Sequence, residues 1–356
     1  MILSQMNRRN FVSTAVVGAV AGLAAAVFTR TAETQTNVPL IRPPRLKPGD
    51  LVGVITPATP ATNPDRLALV ERTIKHFGLR VKWGKHIGLK SGYFGNPVQE
   101  RLDDLHAMFR DPEVKGVFPI QGGYGAPQLL DGIDYDLIRR NPKVFTGYSD
   151  ITALHLAIHK RTGLVTFHGP NVFSALTGYT QTHFRKAVFE AAPIGTVTNP
   201  PEANSLRPKY LLRTIRPGKA TGRLVGGNLT LISTLMGTPY EIDTRGAILF
   251  LEDIGEEPYR IDRMLTQLRL AGKLEQAAGI VFGDCVGCAP NDYKPFVAAG
   301  FSLGEVLDAL LGNLKVPVLS GLTIGHVEDQ LTLPLGVTAT LDAEAGTLEI
   351  KESGVS

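Results

Sequence analysis

Cysteine is nearly absent from this 356-residue chain, which has only Cys285 and Cys288. One pair is too few for an all-cysteine zinc site within one chain, or for a scaffold held by several disulfides. Acidic residues are missing from residues 1–32, where Arg8, Arg9 and Arg30 stand alone. Removing those three from 37 Lys+Arg leaves 34 bases against 33 acids, so nearly all of the +4 net charge sits in the leader. The remainder is close to neutral and makes no case for a nucleic-acid partner. No Gly-rich phosphate loop runs into Lys-Ser or Lys-Thr, and Gly122-Gly123-Tyr124-Gly125 does not have dinucleotide-fingerprint spacing. His155 and His159 are four apart, but residue 156 is Leu, so the H-E-x-x-H pattern fails. No cofactor and no metal site are implied. With 43% hydrophobic residues, the chain can fill one large or two ordinary cores.

The pair Arg8-Arg9 precedes an uncharged stretch from Phe11 to Phe28 in which eight of 18 residues are Ala or Gly. Paired arginines before a weakly apolar segment form a twin-arginine export signal, so the translocation machinery is an expected partner and the periplasm or cell envelope the expected location. An ordinary signal or a short membrane anchor is the competing reading, since 18 residues just span a bilayer. The leader is placed at 1–32 and a Pro-rich linker at 33–48.

Alternating short strands and helices begin at residue 49. Leu51–Ile55, Val114–Ile120 and Val144–Thr146 are apolar strand segments, each followed by a turn-forming or helical stretch. Repeated βα units predict an α/β fold: an N-terminal domain over 49–192 with a mostly parallel sheet flanked by helices. The Pro-rich passage 193–218 is expected to cross to a smaller C-terminal α/β or α+β domain over 219–356. Its strongest strand is Ala247–Leu251, followed by Glu252-Asp253.

Ser149 stands where a buried strand meets a helix, a place where a turn can lift a hydroxyl clear of its backbone. Gly147-Tyr148-Ser149-Asp150 lacks the second glycine of a G-x-S-x-G elbow, since residue 151 is Ile. Ser149 or Asp150 could equally cap the following helix. A nucleophilic serine needs a base, and the base needs an orienting group. His326 lies in a loop beside Gly325, and His168 lies just past a strand end. Either could face a cleft, or His168 could satisfy a loop carbonyl. Glu252 ends an apolar strand, where an acid must be paired, face a cleft or cap the turn before Pro258. Cys285-Val286-Gly287-Cys288 has redox spacing but is followed by Ala289-Pro290 rather than a helix, which favours a structural pair.

Several collinear segments resemble the LD-carboxypeptidase family of serine peptidases, which also holds microcin-C self-immunity peptidases. They are Gly122–Gly125, Gly147–Leu154, His168-Gly169-Pro170, Gly226-Gly227-Asn228, Leu251-Glu252-Asp253, Pro258–Leu265 and Gly325-His326. The resemblance implies a Ser149–His326–Glu252 triad, with an oxyanion hole formed by the backbone N–H groups of Gly123 and Asp150. It implies a two-domain fold and hydrolysis of the amide before a C-terminal D-alanine in peptidoglycan tetrapeptides. The partner would be a peptidoglycan-derived peptide or muropeptide, and a homodimer is compatible with it. Related members act on other acyl-amino-acid or peptide-nucleotide amides, and an exported peptide-binding protein is the non-enzymatic alternative. Family members often carry Arg where this chain has Gln121, which removes a fixed positive charge from the expected cleft.

Overall fold

The computed structural model describes residues 38–202, 204, 206–290 and 300–356. The expected leader at 1–32 and the start of the expected linker lie outside the described residues.

Strand β1, Leu51–Ile55, is buried in four of its five residues, as a central parallel strand must be. It pairs in parallel with β2, Arg80–Trp83, and with β3, Val114–Pro119. β3 continues in parallel to β4, Val144–Gly147, and β4 to β5, Phe167–His168. The helices between these strands carry clear start signals. In α1, Pro64–His76, the Asn63 side chain accepts from the Asp65 and Arg66 N–H groups, Pro64 opens the first turn, and Val70 and Ile74 face the core. Helix α2, Val98–Arg110, buries Leu102, Leu105, Met108 and Phe109.

The expected linker 193–218 carries two edge strands, β6, Gly195–Val197, and β7, Arg213–Arg216. They flank a second sheet whose centre is parallel: β8, Lys219–Asn228; β9, Ala247–Ile254; β10, Gly279–Val286; and β11, Val318–Leu322. Among the described residues this sheet has eight strands and the first has six. The architecture is α/β, with two helix-flanked sheets.

The halves interlock. β12, Leu333–Pro334, comes from late in the chain yet pairs antiparallel with β5 in the first sheet. The chain then returns to the second sheet as β13, Thr338–Asp342, and β14, Thr347–Ile350. Residues 41–46 of the expected linker are docked rather than free. Ile41 bridges to Leu164, Leu46 is buried, and the Arg45 N–H donates to the Ser356 carbonyl at 2.9 Å. Among the described residues, no helix is long and apolar enough to cross a membrane.

Candidate active site

All four residues of β4 are buried, and the chain leaves the strand through Tyr148 into Ser149 at φ +65°. Among the described residues Ser149 is the one non-glycine residue with positive φ. That conformation costs an L-residue about 1–2 kcal/mol and persists where the surroundings enforce it. The missing second glycine also has a reason. A Cβ on Gly147 would lie 3.0–3.3 Å from side-chain atoms of Ile151, so the first glycine makes room for the isoleucine.

The glycine turn after β3 presses directly on the serine. A Cβ on Gly122 would stand 2.9 Å from Ser149 Cβ and 3.1 Å from both Ser149 Oγ and the Asp150 nitrogen. Gly123 has φ +104°, and a Cβ there would meet Thr59 Oγ1 at 1.9 Å. Gln121 turns into the neighbouring loop and donates to the Pro60 carbonyl at 2.9 Å. Sequence reasoning missed the residue that holds this turn. Arg101, buried on α2, donates through Nη1 to the carbonyls of Pro57 (2.8 Å) and Gly125 (3.0 Å), and through Nη2 to Gln128 Oε1 (2.7 Å). Its one signal was an arginine on the same helix stripe as Leu105 and Met108. The buried Asp150 carboxylate accepts from the Ala126 N–H at 2.6 Å, and burial pushes its pKa up to about 6 despite that bond and the Arg101 charge.

The second half supplies a candidate base with an orienting partner. Glu252 on β9 is fully buried, and its Oε2 accepts from His326 Nδ1 at 2.7 Å. An Nδ1–H donated to a carboxylate leaves the Nε2 lone pair free to take a proton. The His326 ring meets the Tyr148 ring edge-on, with centroids 4.8 Å apart. Tyr148 immediately precedes Ser149, so the two halves of the candidate triad meet through that ring contact rather than through a direct serine–histidine hydrogen bond. Gly325, at φ +81°, is obligatory here, because a Cβ would come within 2.0 Å of Glu252 Oε2. Structural duty in this segment falls to Asp253 instead. Its carboxylate accepts from Asn228 Nδ2 at 3.1 Å and from the Thr230 N–H and hydroxyl at 2.9 Å each.

The other histidines have separate work. His155 Nε2 bonds the Gly147 carbonyl at 2.8 Å, and His159 Nδ1 bonds the Leu164 carbonyl at 3.2 Å. The pair spaced four apart therefore binds two different carbonyls. Burial lowers the His155 pKa to about 4. His168 faces neither a cleft nor a loop carbonyl: it is fully buried, and both ring nitrogens are unpartnered. Among the described residues, no group of three or more His, Cys, Asp or Glu side chains gathers as a metal site. Cys285 and Cys288 form a disulfide at the end of β10, with Cα atoms 5.6 Å apart.

A family model described as the LD-carboxypeptidase N-terminal domain matches residues 52–169, and one for the C-terminal domain matches 221–341. The "Probable murein peptide carboxypeptidase" of Bacillus subtilis (strain 168) is 45% identical over 316 residues, covering 88% of this chain and 95% of the relative. The chain belongs to the LD-carboxypeptidase family. Membership makes it a peptidase of the serine-hydrolase type. A solved structure of MccF in complex with glutamyl sulfamoyl guanosine superposes with a TM-score of 0.79 at 28% identity, covering 89% of this chain and all of that one. The muramoyltetrapeptide carboxypeptidase from Oxalobacter formigenes gives 0.73 at 30% identity, covering 85% and 99%.

Proposed function

We propose that Ser149, His326 and Glu252 are the catalytic triad of a hydrolase that cleaves an amide beside a free carboxylate. The observation that carries the reading is the 2.7 Å contact between His326 and a fully buried Glu252, with the strained Ser149 one residue from the ring packed on that histidine. Ser149 Oγ attacks the carbonyl carbon while His326 Nε2 takes its proton. The N–H groups of Gly123 and Asp150 receive the oxyanion. The imidazolium then protonates the leaving amine, and water repeats the sequence on the acyl-enzyme. Glu252 keeps Nδ1 protonated throughout and stabilises the imidazolium.

Two substrate classes have specific support. The likeness to MccF, solved with an acyl sulfamoyl nucleoside, favours an acyl-amino-acid or peptide-nucleotide amide. The Bacillus subtilis and Oxalobacter relatives favour a murein tetrapeptide ending in D-alanine. The paired Arg8-Arg9 favours action in the cell envelope after twin-arginine export. The test incubates purified protein separately with a tetrapeptide ending in D-alanine, its L-alanine counterpart and a glutamyl sulfamoyl nucleoside, and weighs the products. Ser149→Ala and His326→Ala should each lower turnover by roughly 10^3 or more, with the double variant little worse. A folded Ser149→Ala variant with near-wild-type turnover would remove the serine mechanism.

A further inference from the structure

Behind the candidate triad lies a pair of buried atoms with opposite needs. Glu252 Oε2 is taken by His326, but Oε1 is buried without a hydrogen-bond partner. Facing it at 4.0 Å is Nε2 of His168, also buried and unpartnered. A carboxylate oxygen withdrawn from water is costly unless a donor meets it. A carboxylate held through one oxygen alone is free to turn about that bond and to carry His326 with it. The His168 ring is wedged edge-on against Phe250, centroids 5.2 Å apart, and lies 6.3 Å from Tyr148 and 6.4 Å from His155. It needs to advance by about 1 Å to reach hydrogen-bonding distance.

We propose that His168 is a positioning residue, whose Nε2–H is the second donor to Glu252 and fixes that carboxylate behind His326. The proposal rests on the triad reading above. Its surroundings fit a neutral donor: burial, the largest cause, holds the His168 pKa well below the usual histidine range. The titratable groups facing the pair are His326, His155 and Tyr148, with Asp253 next along β9. His155 is itself held neutral near pH 7 by burial, and the Tyr148 and Asp253 pKa values are raised, chiefly by burial. Among these groups only His168 presents an unpartnered donor-capable nitrogen to Oε1.

The experiment is nitrogen-15 NMR of the imidazoles in the whole protein, with turnover of whichever amide is cleaved. In wild type, His168 should be the neutral Nε2–H tautomer across neutral pH; an Nδ1–H tautomer overturns the proposal without any variant. In His168→Leu, the neutral His326 ring should no longer be held in the Nδ1–H tautomer alone, because Glu252 is now free to turn away from it. kcat should fall roughly tenfold or more with KM within about twofold, and His168→Gln, which keeps an amide donor, should recover most of both changes. A folded His168→Leu variant with an unchanged His326 tautomer overturns the role, as does equal loss in His168→Leu and His168→Gln, which would mark packing alone. Ser149→Ala separates the two levels. Full turnover there overturns the triad and with it the catalytic meaning of His168. Loss there alongside an unchanged His326 tautomer in His168→Leu overturns the role of His168 alone.

Discussion

Replacing Gly325 by alanine should disable the enzyme without altering any residue of the triad. The added Cβ would lie 2.0 Å from Oε2, 2.3 Å from Cδ and 2.5 Å from Cγ of Glu252. Non-bonded carbon and oxygen settle near 3.4 Å, so one side must retreat by about 1.4 Å. Glu252 stands on the central strand β9, and the same oxygen accepts from His326 at 2.7 Å. A retreat of that size stretches the contact to about 4 Å, beyond hydrogen-bond range. Loss of the orienting carboxylate should lower kcat by roughly 10^3 to 10^4. Stability falls too: about 1–2 kcal/mol for alanine at φ +81°, and about 1–3 kcal/mol for a buried carboxylate deprived of its donor. At about 2 cal/mol/K per residue, the combined cost lowers Tm by roughly 3–7 °C, which leaves a folded protein to assay. Turnover and thermal melting should be measured for Gly325→Ala, Glu252→Gln and the pair together. If the glycine acts through the carboxylate, the double variant should be little slower than Glu252→Gln. Folded Gly325→Ala turning over within about threefold of wild type would refute the argument.

Replacing both Cys285 and Cys288 by serine should cost about 2 kcal/mol by loop-closure entropy, readable in a melt, and leave kcat unchanged; a hundredfold loss in a folded variant would contradict this. The Asp150 carboxyl, with a folded pKa of about 6 against an ordinary 3.8, holds more protons folded than unfolded between those values. Stability should therefore fall as pH rises through that window, by about 3 kcal/mol, and Asp150→Asn should flatten that part of the stability–pH curve. Changing Arg8 and Arg9 together to lysine should leave precursor in the cytoplasm; fractionation showing undiminished export would dismiss the twin-arginine proposal.

What could be read from residues alone were features with local causes. Buried parallel strands announce themselves as apolar runs, so β1, β3 and β9 stood out, and the glycine turn and Ser149 mark the ends of two first-sheet strands. Glu252 drew notice because an acid after such a run demands an explanation. The features that escaped are set by distant contacts. The pairing of β5 with β12 joins residues more than 160 apart, so no local pattern encodes it. β6 and β7 lie in a Pro-rich passage that reads as a linker, yet edge positions tolerate such sequence. Arg101 offered only its place on the apolar stripe of α2, because its partners Pro57, Gly125 and Gln128 come from other parts of the chain. His168 offered two plausible settings and occupies a third, because its environment is made by Phe250, Glu252 and His155 rather than by its neighbours in sequence.

The interlock of the halves has a consequence for biosynthesis. Ser149 belongs to the early sheet, but Leu333–Pro334 completes the edge of that sheet, and Ser356 closes on Pro43 and Arg45. The ribosome delivers those residues long after Ser149. The serine's own scaffold therefore cannot close until residue 356 has been made, and contacts of such long sequence separation form slowly. A chain truncated shortly before residue 333 would keep the local turn at Ser149 yet leave β5 without its outer neighbour and residues 41–46 without their clasp. The two stretches matched separately by the family models, 52–169 and 221–341, are thus halves of one cooperative unit, and neither carries all the strands its own sheet requires.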